Sequence, residues 1–116
     1  MLEVEWQAQV VDLARLYGWE YFHVTNSRRS APGWPDLALV RDRLVMAELK
    51  AEGGRLSKDQ VRWIALLETA GVEVHVWRPS DLPAVTEVLR RRVPHSGTVR
   101  RGMRDAYATD TGGGTK

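Results

Sequence analysis

Asp36, Glu48 and Lys50 are the residues whose types and spacing could do chemistry in this chain. They flank two apolar runs, Asp36 to Val40 and Leu44 to Lys50, whose tight connection reads as a β-hairpin. A three-residue loop of Arg41-Asp42-Arg43 pairs Val40 with Leu44, Ala38 with Met46 and Asp36 with Glu48, because opposed residues share a face of the sheet. A two-residue loop would oppose Asp36 to Leu49 and mismatch the polar positions. In the favoured register the two carboxylates stand with Cβ atoms about 5 Å apart, and Lys50 lies on the same side, diagonal to Asp36. Such a pair repels itself unless a cation sits between the carboxylates or one of them holds a proton. Mg²⁺, which takes one or two carboxylates together with waters and phosphate oxygens, suits it. A lysine beside that ion could lower the pKa of a bound water or stabilise charge on a pentavalent phosphate. The chemistry that fits is phosphodiester hydrolysis.

The elements that must position these residues follow from periodicity. Trp6, Val10, Leu13, Ala14 and Tyr17 recur at helical spacing ahead of Gly18, which predicts a helix over residues 3–17. Tyr21, Phe22, Val24 and Thr25 predict a first strand over residues 20–25, and the Ser, Arg, Pro and Gly of residues 26–35 predict a loop. After the hairpin, Gly53-Gly54 ends the run, and Ser57 with Gln60 forms a capping-box start to a second helix that reaches about Ala70. Val72, Val74 and Val76 mark a fourth strand, broken by Arg78-Pro79-Ser80, and Leu82, Val85 and Leu89 a short closing helix. The order αβββαβα implies a single α/β domain of two or three layers with helices on the faces of one sheet. Leu37, Leu39, Val45, Ala47 and Leu49 would line its core face. Trp6, Trp19, Trp63 and Trp77 are expected in the core, and Trp34 either there or beside a sugar or base.

Composition narrows the function classes. At 116 residues, 43% hydrophobic and 28% charged, the chain has the size and balance of one ordinary globular domain. No apolar run nears the roughly 20 residues that span a bilayer, so no membrane role is expected. Zero cysteines exclude disulfide scaffolds, zinc fingers and thiol nucleophiles. His23, His75 and His95 lack metal-ligand spacing, and no nucleophile elbow, phosphate-binding loop or dinucleotide fingerprint occurs. The acidic start, Met1-Leu2-Glu3-Val4-Glu5, is unlike a secretory signal, which points to a cytoplasm, the host's if the source is viral. Residues 1–89 carry 10 Lys and Arg against 13 Asp and Glu, whereas residues 90–116 carry 7 against 2, so the basic character belongs to the C-terminal part. Six arginines and no acid lie between Arg90 and Arg104. The expected division is a globular part over 1–93 and a basic, Gly- and Thr-rich flexible tail over 94–116, either a tether to a polyanion or a solubilising extension.

Four motifs in order carry a resemblance: Gly33-Trp34-Pro35-Asp36, Glu48-Leu49-Lys50, Gly54-Arg55-Leu56-Ser57 with Gln60, and Trp77-Arg78-Pro79-Ser80-Asp81. Together they resemble the VRR-NUC domain, the virus-type replication-repair nuclease branch of the PD-(D/E)xK superfamily, over about Glu3 to Leu82. The resemblance implies a restriction-endonuclease-like αβββαβ(α) core with a mixed sheet. It implies a metal-dependent DNA endonuclease, with Asp36 and Glu48 binding Mg²⁺ or Mn²⁺, Lys50 catalytic and Gln60 completing the site. A Glu and a Gln of the first helix belong to the pattern. Glu3 and Gln7 fit best as i, i+4 neighbours, Glu3 as a further metal ligand, with Glu5 second. Gln60 also has a structural role as the third residue of its capping box, and the two roles compete for one side chain.

Phosphate contacts would come from Arg28, Arg29, Arg41, Arg43, Lys58 and Arg62, which lie before the site, at the hairpin tip and on the second helix. No base-reading module is evident, so DNA structure, branched or junction, would be read rather than sequence. A homodimer is expected, since a small core must engage two strands of a duplex. The alternative is a catalytically idle DNA-binding or scaffold protein of the same fold.

Overall fold

A computed structural model describes residues 1–24 and 31–93 of the chain. The expectations for Thr25, Arg28, Arg29, His95 and the 94–116 tail lie outside the described residues. The elements are α1 (Glu3–Leu16), β1 (Glu20–His23), β2 (Leu37–Val40), β3 (Leu44–Leu49), α2 (Lys58–Thr69), β4 (Glu73–Trp77), a 3₁₀ turn (Pro79–Asp81) and α3 (Leu82–Arg90). They build one α/β domain whose mixed sheet has the order β1-β2-β3-β4, antiparallel except for the parallel β3–β4 pair. That pair requires a crossover, and α2 supplies it.

The hairpin has the three-residue-loop register: Val40 opposes Leu44, Ala38 opposes Met46 and Leu37 opposes Ala47. One step further along the same ladder stand Asp36 and Glu48. The apolar face behaves as its alternation dictates. Leu37, Leu39, Val45, Ala47 and Leu49 are fully buried and pack with Trp6, Val10, Ala14, Val85 and Leu89 from α1 and α3. Two indoles are tied down by their N–H groups: Trp6 donates to the Trp77 carbonyl and Trp19 to that of Leu89, each at 2.9 Å. A buried indole N–H needs such a partner. The Trp6 bond pins the start of α1 to the end of the sheet where Lys50 emerges, because the Lys50 N–H donates to the same Trp77 carbonyl at 3.0 Å.

The opposite face, carrying Met46 and Glu48, is covered by α2, and this layer is thin. No residue of α2 is fully buried. Trp63, expected in the core, is only partly buried; it meets Trp34 edge-to-face, with centroids 5.0 Å apart and planes at 78°. A helix that touches mainly β4 and one loop cannot enclose a large ring, so the two tryptophans close the gap between them. No helix among the described residues is long and apolar enough to cross a membrane.

Candidate active site

Three elements converge at the open end of the hairpin. The first is the loop entering β2. Gly33 has φ +88°, and a Cβ there would overlap the Asp59 carbonyl and the Gln60 amide of α2, so the backbone approaches as only glycine permits. Trp34 packs on Trp63 and Pro35 is buried, which leaves Asp36 held at the mouth of the strand. Its carbonyl accepts from the Val24 N–H at 2.8 Å, continuing the β1–β2 ladder, and its Oδ2 accepts from the Leu49 N–H at 3.0 Å.

The second is β3, whose pleat points Glu48 away from the apolar core and toward α2. Glu48 is only 2% exposed. Its Oε2 accepts from the Gln60 Nε2 at 2.9 Å and lies 4.0 Å from the Lys50 Nζ, whereas its Oε1 is buried with no partner among the described residues. Burial above all, and then the carboxylate of Asp36, push the Glu48 pKa up to about 8; Glu3 adds to the rise and Lys50 opposes it. Burial and the facing carboxylate thus disfavour the charged form of Glu48 in the absence of a cation.

The third is the N-terminus of α2, where the capping bonds of Gln60 and its contact with Glu48 do not compete for the same end of the side chain. Its Oε1 accepts from the Ser57 N–H at 2.8 Å while the Ser57 Oγ accepts from the Gln60 N–H at 3.1 Å, and its Nε2 remains free to donate to Glu48. An amide has an acceptor end and a donor end, and the fold spends each on a different neighbour.

The first-helix residues divide. Glu5 is committed to its own helix, its Oε1 accepting from the Leu2 N–H at 2.7 Å. Glu3 is near enough to raise the Glu48 pKa, yet among the described residues no three His, Asp or Glu side chains gather as a ready cluster for a metal. Of the expected Asp36, Glu48 and Glu3, the hairpin register opposes the first two, and Glu3 acts on Glu48 from α1. Gln7 lines a groove between α1 and β1 with Tyr21 and His23, and no hydrogen bond joins it to the carboxylates.

The basic residues divide as well. Lys58 opens α2 two residues before Gln60 and is exposed; Arg62 is exposed too, its guanidinium 5.3 Å from the Trp63 ring centre. Arg41 and Arg43 are not at the site. They sit at the hairpin tip, about 13 Å along β3 from Glu48. There Arg41, its side chain 8% exposed, donates to the carbonyls of Tyr17, Leu89 and Arg91, and Arg43 donates to Glu73 and to the carbonyls of Val88 and Arg91. Spent on helix ends, they are not free to meet phosphates.

The donors suit a hard divalent cation. All are oxygens, two carboxylates face one another, and one buried oxygen lacks any partner, an arrangement whose cost a cation would remove. Asp36 and Glu48 would hold it. Missed by sequence reasoning is the side chain of Arg78, which reaches back to the loop after β3; its motif stood out, but a hydrogen bond to a carbonyl 24 residues away leaves no periodic signal.

Comparison with curated proteins and with solved structures finds no match to this chain. The family model of the VRR-NUC domain matches residues 5–81, two-thirds of the chain, from α1 through the 3₁₀ turn and including Asp36, Glu48, Lys50 and Gln60. On the strength of that match the chain belongs to the VRR-NUC family, whose function is nuclease-type processing of DNA.

Proposed function

We propose that this protein is a Mg²⁺- or Mn²⁺-dependent DNA endonuclease, with Asp36 and Glu48 holding the ion and Lys50 as the catalytic base-side cation. The observation that carries this reading is the buried Glu48, one oxygen unpartnered, facing Asp36 and lying 4.0 Å from Lys50. The divalent ion, when bound, supplies Lewis-acid polarisation of the phosphate and a more acidic water. Gln60 orients Glu48 from one side, and the Leu49 N–H fixes Asp36 from the other. Lys50 is too far from Glu48 for a tight ion pair, so its ammonium stays available to a phosphate oxygen or the attacking water. Glu3 completes the charge of the site from α1, and Gln7 lies on its outer rim.

On the DNA side, Lys58 and Arg62 flank the site, Arg28 and Arg29 precede it in sequence, and the arginines from Arg90 to Arg104 add contacts apart from it. The reading extends to structure-selective cleavage of branched DNA of phage or repair type, in a cytoplasm. It includes a homodimer, for which exposed Phe22 on edge strand β1 (67%) and exposed Val61 and Leu66 on α2 supply apolar surface. The test is a panel of labelled duplex, nicked, flap and four-way-junction DNA incubated with Mg²⁺ or Mn²⁺. Cleavage that Lys50→Ala abolishes is the expected result; binding without cleavage under either ion would establish an idle scaffold instead.

A further inference from the structure

Between Lys50 and the cap of α2 the chain has six residues, 51–56, in which to turn back so that Gln60 meets Glu48. The turn itself is local: the Gly54 N–H donates to the Ala51 carbonyl at 2.9 Å, and Gly53 takes φ +75°. Nothing in that geometry fixes where the turn sits over the sheet. Two bonds from beyond β4 do so. Arg78 Nη2 donates to the Gly54 carbonyl at 2.6 Å, and the Ser80 N–H donates to the Glu52 carboxylate. Among the described residues these are the side-chain hydrogen bonds that tie residues 51–56 to the rest of the fold. Arg78 is itself held: its own N–H donates to Asp81 Oδ2 at 2.8 Å, and the preceding carbonyl, that of Trp77, accepts from both Lys50 and Trp6. The clasp is therefore rooted in the core at one end and reaches both flanks of the site, Lys50 on one side and Ser57 with Gln60 on the other.

We propose that Arg78, assisted by Glu52, is a positioning residue for the hydrolysis, setting the separation of Lys50 and Gln60 from Glu48 through the 51–54 turn without touching DNA or metal. This rests on the nuclease reading. A misplacement of about 1 Å at such a site can cost on the order of 100-fold in rate. The competing use of Arg78 is a direct phosphate contact, and the two uses predict opposite patterns.

Saturating cleavage rates and DNA affinities of the full chain in Mn²⁺ decide between them, for Arg78→Ala, Arg78→Lys and Glu52→Ala. Positioning predicts that Arg78→Ala slows saturated cleavage roughly 10- to 100-fold with affinity within about threefold, and that Arg78→Lys, which keeps one donor, recovers part of the rate. Glu52→Ala is the sharper variant: losing an acid should leave DNA affinity equal or higher, yet the rate should fall about 3- to 10-fold as the clasp loosens. A parental saturated rate in both alanine variants overturns the proposal, and so does a loss confined to affinity, with a salt dependence flattened by about one unit. If the parent cleaves nothing, the nuclease reading fails separately. The clasp is then judged by amide exchange: Gly54 and Ser57 should exchange faster in Arg78→Ala while β2 stays protected, and unchanged protection overturns it.

Discussion

The two ends of the β2–β3 hairpin carry similar residues and treat them in opposite ways. At the tip, Asp42 stands between Arg41, whose Nε donates to it at 2.6 Å, and Arg43, and it also accepts from the Val93 N–H at 2.9 Å. Burial works against its charge, but Arg41 and the backbone donors prevail and hold its carboxyl far below the usual carboxylate range. At the open end, Glu48 is pushed up to about 8 by burial and by Asp36, with one oxygen partnerless. Every charge at the tip is used up in joining the ends of α1 and α3 to the sheet. The open end keeps a buried carboxyl whose charged form its neighbours do not compensate. A carboxylate driven down by its neighbours is already satisfied, whereas one driven up is short of a cation, and only the second can respond to a ligand.

Breaking each end should therefore give different kinds of damage. The largest effect belongs to the open end, where Lys50→Ala is expected to slow cleavage about 1,000-fold or more with DNA affinity within a few-fold, read by single-turnover cleavage and by binding titration. Next comes the pH response of the metal-free protein. In the unfolded chain Glu48 titrates near 4.5 and in the fold near 8, so between those values the native state holds the extra proton and stability falls as pH rises. The slope reaches up to about 1.4 kcal/mol per pH unit, and Glu48→Gln, which cannot ionise, should lack it. Urea unfolding in chelator at several pH values should show the variant gaining on the parent toward pH 8, and parallel curves would mean that Glu48 ionises normally.

At the tip, Arg41→Ala takes a donor from three carbonyls, of which that of Tyr17 has no other side-chain donor among the described residues while those of Leu89 and Arg91 keep Trp19 and Arg43. The substitution also removes the cation that lies 4.4 Å from the Trp19 ring centre. It should cost about 3 kcal/mol of stability and leave the saturated cleavage rate of the folded protein unchanged. A tip variant that lost rate rather than stability would erase the contrast. The smallest effect is expected from deleting residues 95–116, which should flatten the dependence of log affinity on log salt by roughly 1 to 3 units with cleavage at saturating DNA intact. An unchanged slope would transfer the phosphate contacts to Lys58, Arg62 and the loop before the site.

Much of this was legible because it is local. Alternation along β2 and β3 and the length of their connection set which residues oppose one another, and the register in the fold is the one that brings Asp36 to Glu48. Ser57 and Gln60 announce their helix start by spacing alone, and both reciprocal bonds are made. Gly33 stood in a motif with no stated task, and its contact with the first turn of α2 is what presses the Asp36 loop against Gln60.

The sequence by itself determined the order of elements, the hairpin register and hence that Asp36 and Glu48 stand opposed, because backbone periodicity and turn length act over a few residues and leave a pattern that can be read. Tertiary structure alone decided where the long side chains end. Arg41 and Arg43 look like free surface charge, yet they are drawn to carbonyls 24 to 50 residues away in sequence. Trp63 reads as core, but α2 lies too shallowly over the sheet to bury it. Gln60 serves two masters because packing brings Glu48 to the donor end of an amide whose acceptor end was already engaged. The reach of such side chains spans several candidate partners, and which of them is met depends on how whole elements pack.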